Sequence, residues 1–191
     1  MRLVLASGSP RRAELLTAAG FAFEIVVVDV DELVRAGESA EAYVRRLAVE
    51  KASVAQTAVA SGFSRTDDVV VLGADTAVIV DGHILGKPVD DGDAAAMLRR
   101  LSGRRHDVLT GVSLRQGSRE LSRVDRTTVF FVELRDEDVA WYVESGEGRD
   151  KAGAYAIQGL ASRFILRLEG SYSNVVGLPI RTVVELLAHL G

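Results

Sequence analysis

The chain of 191 residues contains no cysteine. This absence excludes disulfide bonds, zinc sites built from thiolates and catalysis by a thiol nucleophile, although it leaves the cellular compartment open. Three further signatures are missing. His83, His106 and His189 do not have the spacing of metal ligands, no serine lies in a Gly-x-Ser-x-Gly turn, and there is no Gly-x-Gly-x-x-Gly dinucleotide fingerprint.

Long apolar runs and an excess of positive charge are also missing. No run approaches the length of a membrane-spanning helix, and the apolar start of the chain is interrupted at residues 7–9, too early for the core of a secretory signal peptide. We therefore expect a cytoplasmic protein with no membrane partner. The net charge of -4 argues against a nucleic-acid-binding protein, whose surface is usually basic, although a local basic patch would still bind a phosphate.

The composition and the order of patterns predict one folded domain of mixed structure. Hydrophobic residues form 48% of the chain, enough for a sizeable core, and we expect a single domain over residues 1–191. Apolar runs predict strands at 3–6, 21–28, 68–73, 77–80, 108–115, 120–134 and 164–168. Helical spacing predicts helices at 10–19, 39–60, 91–102 and 179–190, and a short helix through 143 that Asp136 would cap. The pair Asp81-Gly82 predicts a tight hairpin turn. This order favours the α/β class with a mixed sheet.

The loop between the first strand and the first helix is a candidate phosphate site. It has the sequence Ser7-Gly8-Ser9-Pro10-Arg11-Arg12, in which Ser9 fits a helix N-cap and Pro10 the first helical position. Backbone N–H groups at a helix N-terminus attract phosphate, and Arg11 and Arg12 would add bidentate donors. The alternative for this segment alone is an ordinary capped helix with two solvated arginines.

An acidic residue follows the strongest strand signal of the chain. Residues 69–72 are a continuous apolar run, as expected of a strand buried on both faces, and Asp75 comes soon after in Gly73-Ala74-Asp75-Thr76. We expect Asp75 at the carboxyl end of that strand, where open α/β sheets place their ligands. A carboxylate there would hold a divalent metal or activate water. An ordinary acidic turn is the alternative.

Weaker candidates lie elsewhere in the chain. Lys87, in Gly86-Lys87-Pro88, would neutralise a phosphate as a point charge, or be an ordinary surface lysine. A magnesium shell near a phosphate site would be completed by acids such as Asp29, Asp31, Glu32 and Glu50. A solvated acidic loop and a pair at 50–51 on a helix surface fit most of these residues better. In the glycine-rich loop 146–159, Tyr155 would stack on a nucleobase and Gln158 would offer a donor and an acceptor to its edge.

Five segments together resemble the motifs of the Maf-like nucleotide pyrophosphatases. They occur in the family's order and span nearly the whole chain, and the set of five is highly specific. The segments are Leu5-Ala6-Ser7-Gly8-Ser9-Pro10-Arg11-Arg12, Gly73-Ala74-Asp75-Thr76, Leu85-Gly86-Lys87-Pro88, Asp150-Lys151-Ala152-Gly153-Ala154-Tyr155 and Val176-Gly177-Leu178-Pro179. The chain departs from the family pattern at Ala156 and at residues 161–163, beside the loop expected to recognise the base.

The resemblance implies both a fold and a reaction. The fold is related to the inosine triphosphate pyrophosphatases and has a mixed twisted sheet flanked by helices, with two lobes around a deep cleft. The reaction is hydrolysis of nucleoside triphosphates to the monophosphate and pyrophosphate, assisted by magnesium or manganese, as a house-cleaning activity on the nucleotide pool. Members of the family often form homodimers.

The resemblance also implies roles for single residues. Asp75 matches the proton acceptor of the family, with Lys51 and Lys87 as cations of the catalytic cleft. Glu32 and Asp75 are the expected metal ligands. The expected substrate-binding residues are Ser7, Ser9, Arg11, Arg12, Thr76 and Gln158. This combination is similar to the branch of the family that prefers dTTP and UTP.

Two other functions stay open at this stage. A nucleotide-binding regulator of septum formation would bind nucleotide without releasing pyrophosphate. A phosphatase that acts on sugar or nucleotide monophosphates would release orthophosphate. The complete set of Asp75, Lys87 and Arg11 favours the pyrophosphatase over both.

Overall fold

The secondary structure alternates between strands and helices along the chain. A computed structural model describes residues 2–60 and 69–190, so the predicted strand start at Asp68 lies outside the described residues. The helices are α1 (Pro10–Ala18), α2 (Ala40–Ala60), α3 (Asp91–Leu101), α4 (Asp136–Glu144), α5 (Tyr172–Val176) and α6 (Ile180–Leu190). The strands are β1 (Arg2–Ala6), β2 (Phe23–Ile25), β3 (Val69–Val80), β4 (His83–Leu85), β5 (Arg105–Gln116), β6 (Arg119–Phe131) and β7 (Ile165–Glu169).

The seven strands of the described residues form one mixed sheet. Their order is β2-β1-β3-β5-β6-β7, and β4 pairs with β3 at the side. β1 is parallel to β2 and to β3, whereas the β3–β4 and β6–β7 pairs are antiparallel. The register pairs Ala6 with Gly73, so the loop that begins at Ser7 leaves β1 beside the part of β3 that leads to Asp75.

The chain forms two compact units. Unit 1 consists of Met1–Asp75, Thr110–Asp125 and Gly177–Gly191, and unit 2 consists of Thr76–Leu109 and Arg126–Val176. Strands β3, β5 and β6 each contribute residues to both units. The boundary within β3 falls directly after Asp75, which therefore belongs to unit 1.

Helices cover both faces of the sheet in unit 1. Because side chains alternate between the two faces along a strand, Leu5 and Leu72 point to the face that α1 and α6 cover. Their chain neighbours Val4 and Val71 point to the other face and pack against Ala52 of α2. Complete burial of a leucine such as Leu5 contributes about 1.5–3 kcal/mol. The layers confirm the predicted α/β class with a mixed sheet flanked by helices.

Helix α2 lies unusually close to β3 at Gly73. A Cβ atom built on Gly73 would clash with the carbonyl oxygen of Ala48 and lie 2.8 Å from the backbone nitrogen of Ala52. Only glycine permits such a close approach of the helix backbone to the strand. The contact places this turn of α2, in which Lys51 lies between Ala48 and Ala52, over the stretch of β3 that contains Asp75.

Unit 2 has its own apolar core. Leu98 of α3 and Tyr142 of α4 pack with Phe131 of β6 in this core. The β3–β4 hairpin turns at Asp81 and Gly82, which have φ angles of 50° and 76°. Positive φ at both positions is the geometry of a tight two-residue hairpin, which confirms the turn predicted there.

The predicted position of Asp75 at the end of a strand is wrong. β3 runs without a break from Val69 to Val80, so Asp75 and Thr76 lie inside it. A buried acid is tolerated in this strand because Lys51 of α2 pairs with its carboxylate. The sequence predicts two separate strands on either side of Asp75, because a charged residue normally interrupts a buried strand. Lys51, which offsets the burial of Asp75, is 24 positions away and is not part of the local pattern.

Other element boundaries also differ from the prediction. The predicted strand 21–28 is reduced to Phe23–Ile25, and residues 26–39 form neither strand nor helix. Asp136 is not a cap but the first residue of α4, and the carboxylate of Asp138 accepts the N–H of Arg135 (3.1 Å). Helix α5 has no counterpart in the prediction, because five residues are too few for a periodic pattern.

Replacing Gly73 by alanine tests the contact between α2 and β3. The new Cβ would meet backbone atoms of α2, which cannot move aside as a side chain does. We expect Gly73→Ala to lower the free energy of unfolding, measured in urea, by about 1–3 kcal/mol or more. Gly86→Ala is the control, because its Cβ would meet no atom within 4 Å. Equal stability of the two variants would contradict the close approach.

Candidate active site

Two carboxylates of unit 1, those of Asp75 and Glu32, bind the ammonium group of Lys51. Its Nζ donates to Asp75 Oδ1 and to Glu32 Oε1, with both distances 2.6 Å. The side chains of Lys51 and Asp75 are 11% and 10% exposed, whereas that of Glu32 is 49% exposed. One buried cation therefore holds a buried and a half-exposed carboxylate, which are the two metal ligands predicted from the sequence.

Burial controls the acidity of Asp75. Loss of water around the carboxylate raises the pKa of Asp75 above its ordinary value. The positive charges of Lys51 and Arg12 and the hydrogen bond from Lys51 oppose this shift, and the negative charge of Glu32 adds to it. The net result is a carboxylate that holds a proton more readily than a surface aspartate, a property that suits a general base.

Arg12 fixes the conformation of the loop after β1. It is buried, its Nε donates to the carbonyl oxygen of Gly177 (2.8 Å), and its Nη1 donates to Ser7 Oγ (3.0 Å). Ser7 Oγ also accepts the backbone N–H of Ser9 (3.2 Å). Arg12 therefore connects two of the sequence motifs, the loop that precedes α1 and the segment 176–179 that precedes α6.

The structure corrects two details of this loop. Ser9 is the residue before α1, as predicted, but its side chain makes no capping hydrogen bond. Arg12 is not a solvated arginine. Burial lowers its pKa, opposed by the charges of Asp75 and Glu32, while the neighbouring Arg11 adds to the lowering. The buried guanidinium thus adds positive charge to the surroundings of Asp75.

Two residues of α2 hold the loop that carries Glu32. The hydroxyl of Tyr43 donates to the carbonyl oxygen of Glu32 (3.0 Å). Arg46 donates from Nη2 to the carbonyl oxygen of Leu33 (3.0 Å) and from Nε to Glu38 Oε1 (2.7 Å). The sequence prediction missed Arg46. The available signal is its three-residue spacing from Tyr43, which places both residues on one side of the helix.

The predicted residues of unit 2 lie on separate elements of that unit. Thr76 is half-buried in β3, Lys87 is exposed after β4, and Gln158 is exposed in the loop before residues 160–164. Two motifs of the unit do meet, because the N–H of Gly153 donates to the carbonyl oxygen of Gly86 (2.9 Å). This hydrogen bond attaches the segment that contains Lys87 to the glycine-rich loop.

Tyr155 is not available to stack on a nucleobase. It is only 5% exposed, and its hydroxyl lies 2.8 Å from Nε2 of His106. Its ring packs edge-on against Phe131, with 4.9 Å between the centroids. Burial raises the pKa of Tyr155 and lowers that of His106 to about 4. The tyrosine is therefore part of the core of unit 2, a role that its glycine-rich surroundings do not indicate.

The two carboxylates that bind Lys51 are the predicted metal ligands. In residues 2–60 and 69–190, no three or more His, Asp or Glu side chains form a group that could hold a metal ion. Glu32 and Asp75 do converge on one nitrogen. Two carboxylates fit Mg²⁺, which is usually bound by one or two carboxylates together with substrate phosphates and water.

The fold and these side chains define an α/β protein that combines an ordered loop at the N-terminus of α1 with a buried lysine–carboxylate cluster. A sequence model of the family described as "Maf-like protein" matches residues 2–190. The chain belongs to this family, which confirms the family predicted from the five motifs. No helix in the described part of the chain has the length and apolarity needed to cross a membrane.

Several relatives are similar over more than nine tenths of their own length. A protein named dTTP/UTP pyrophosphatase from Hahella chejuensis is 53% identical, over 100% of this chain and 92% of the relative. Proteins of the same name from Symbiobacterium thermophilum and Shewanella oneidensis are 48% and 50% identical, over 100% of this chain and 94% and 99% of the relatives. The solved structure of the Staphylococcus aureus Ham1 protein is 17% identical, with a TM-score of 0.42, over 71% of this chain and 73% of that chain.

A lysine variant tests the electrostatic description of Asp75. Because Lys51 lowers the pKa of Asp75 while burial raises it, Lys51→Met should raise the pKa further. The carboxyl carbon of Asp75, titrated by NMR without metal, measures this directly. Arg2→Met, which removes the partner of the exposed Glu24, should leave the Asp75 titration unchanged. A lower or unchanged pKa in Lys51→Met would contradict the description.

Proposed function

We propose that this chain is a nucleoside triphosphate pyrophosphatase that acts on dTTP and UTP. It breaks the P–O bond between the α- and β-phosphates and yields the monophosphate and pyrophosphate. The observation that carries the proposal is the buried Asp75, held by Lys51 and surrounded by further positive charge from Arg12. The name shared by relatives of about half identity supports the reaction and the choice of pyrimidine nucleotides.

The loop after β1 binds phosphate. Residues 7–9 precede α1, and the positive end of a helix dipole at its N-terminus attracts anions. Arg12 holds the Ser7 hydroxyl in place, so the loop is organised before substrate binds. Arg11, next to it on the first turn of α1, supplies a second guanidinium for the phosphates.

Asp75 handles the proton of the attacking water. Its raised pKa brings the carboxylate closer to the working pH, which makes it a better base than a surface aspartate. Lys51 keeps the carboxylate ionised and in one orientation through a single hydrogen bond. A reaction of this kind needs mainly positioning and compensation of charge, and the cluster provides both.

A divalent metal ion, Mg²⁺ or Mn²⁺, belongs to this proposal. Glu32 and Asp75 would hold it, since both carboxylates already converge on one cation. When bound, the metal would offset the negative charge of the triphosphate. The remaining assignments, Lys87 as a phosphate cation and Thr76 and Gln158 as selectivity residues, stay predictions from the resemblance, as do a homodimer and a cytoplasmic location.

Product analysis with a panel of triphosphates tests the proposal. With Mg²⁺ or Mn²⁺, dTTP and UTP should yield pyrophosphate at higher kcat/KM than guanine nucleotides, and excess chelator should abolish the release. Orthophosphate as the only product would indicate a phosphatase. Tight binding of nucleotide without any product would indicate a regulator. Preference for guanine nucleotides would contradict the assignment to the pyrimidine branch.

Asp75→Asn completes the same experiment. The amide keeps the size of the side chain but cannot accept the proton, so kcat should fall by roughly 10²–10⁴-fold, the usual contribution of a positioned general base. Circular dichroism should show an intact fold. Ser53→Ala, a change on the same helix as Lys51, is the control and should keep wild-type activity. Full activity of Asp75→Asn would contradict the role of the carboxylate.

A further inference from the structure

The loop that carries Gln158 is attached at both ends to one pair of side chains. At its start, the backbone N–H of Ala156 donates to the hydroxyl oxygen of Tyr142 (3.0 Å). That hydroxyl donates in turn to Glu147 Oε2 (2.8 Å). At the other end, the backbone N–H of Leu160 donates to Glu147 Oε1 (2.9 Å). We call Tyr142 and Glu147 the loop clamp.

The loop between these attachment points is a tight turn. The N–H of Gly159 donates to the carbonyl oxygen of Ala156 (3.2 Å), and the N–H of Ser162 donates to the carbonyl oxygen of Gly159 (3.0 Å). Gln158 lies within this turn and is exposed. Its backbone is therefore held from both sides while its side chain is accessible to a ligand.

Gly159 is required for the clamp. A Cβ atom at this position would overlap the Glu147 carboxylate, with Oε2 only 2.7 Å away. An alanine would push the carboxylate away from the backbone N–H of Leu160. Glycine at position 159 is therefore the residue type that lets the Glu147 carboxylate reach the N–H of Leu160.

The tyrosine of the clamp is shielded from solvent, whereas Glu147 is half-buried. Tyr142 is 1% exposed, so water does not compete for its hydroxyl. Hydrogen bonds from N–H and O–H groups to a carboxylate are stronger than those between neutral groups. A backbone held in this way reduces the ordering that Gln158 must undergo when a ligand binds, and this preorganisation increases affinity.

We infer that Tyr142 and Glu147 are positioning residues that hold Gln158 for recognition of the nucleobase and so set the selectivity among triphosphates. The inference rests on the proposed function, because it needs a nucleotide substrate. Neither residue was singled out by the sequence motifs. The clamp acts on binding of the correct base, so its loss should raise KM for UTP and leave kcat nearly unchanged.

Tyr142→Phe tests the clamp with the smallest change. It removes one hydroxyl, and with it the hydrogen bonds to Ala156 and Glu147, but keeps the buried ring. We expect the ratio of kcat/KM for UTP to that for GTP to fall about tenfold, with kcat for UTP within twofold of wild type. The controls are Tyr172→Phe and Glu144→Gln, two exposed positions of the same unit, which should keep the wild-type ratio.

Gly159→Ala tests the same point with both clamp side chains intact. It should lower the ratio of kcat/KM for UTP to that for GTP as Tyr142→Phe does, because the new methyl group displaces the Glu147 carboxylate.

Substitutions of Glu147 test the carboxylate itself. Glu147→Gln keeps an acceptor oxygen and should retain more of the UTP preference than Glu147→Ala. Hydrogen exchange should show faster exchange of the Leu160 amide in Glu147→Ala than in wild type.

The outcomes separate this inference from the proposed function. An active wild type in which Tyr142→Phe and Gly159→Ala lower kcat/KM for UTP and GTP by the same factor would overturn the inference and leave the proposed function standing. An unchanged ratio in folded variants would overturn it as well. A wild type that releases pyrophosphate from no triphosphate would overturn both.

Discussion

The hydrogen bonds from Lys51 to two carboxylates are the interaction on which the proposed site depends. A buried lysine and a buried aspartate are each costly to remove from water, and each is tolerated because the other offsets its charge. The pair exists because α2 lies directly on β3 at Gly73. The packing of α2 on β3 in unit 1 therefore determines which charged groups meet in the proposed site.

The burial of Asp75 carries a cost in stability at neutral pH, which Lys51 only partly offsets. The pKa of Asp75 is higher in the folded chain than its ordinary value, so the folded state binds this proton more tightly than the unfolded state. The carboxyl group therefore stabilises the fold below its ordinary pKa, and that contribution is lost as the pH rises through the folded value. Active sites commonly contain groups whose pKa is shifted in this way by burial and neighbouring charges.

Much of this fold and site follows from the sequence, and the differences have physical causes. The apolar runs of β1 and β3 and the spacing in α2 predict their elements because one strand face or helix face is buried continuously. The burial of Asp75 inside β3 depends on Lys51, 24 positions away, and no local pattern contains that information. Tyr155 is similar: its glycine-rich neighbours suggest an exposed loop, but its contacts with His106 and Phe131 come from distant strands.

The pH dependence of kcat/KM for UTP tests the central claim most directly, because this quantity reports ionisations of the free enzyme. If Asp75 takes the proton, the rate should fall at acidic pH along one limb, whose midpoint lies above the ordinary value of 3.8 for aspartate. That midpoint should coincide with the titration of the Asp75 carboxyl carbon followed by NMR in the same buffer. A rate that stays constant while Asp75 becomes protonated would contradict the account.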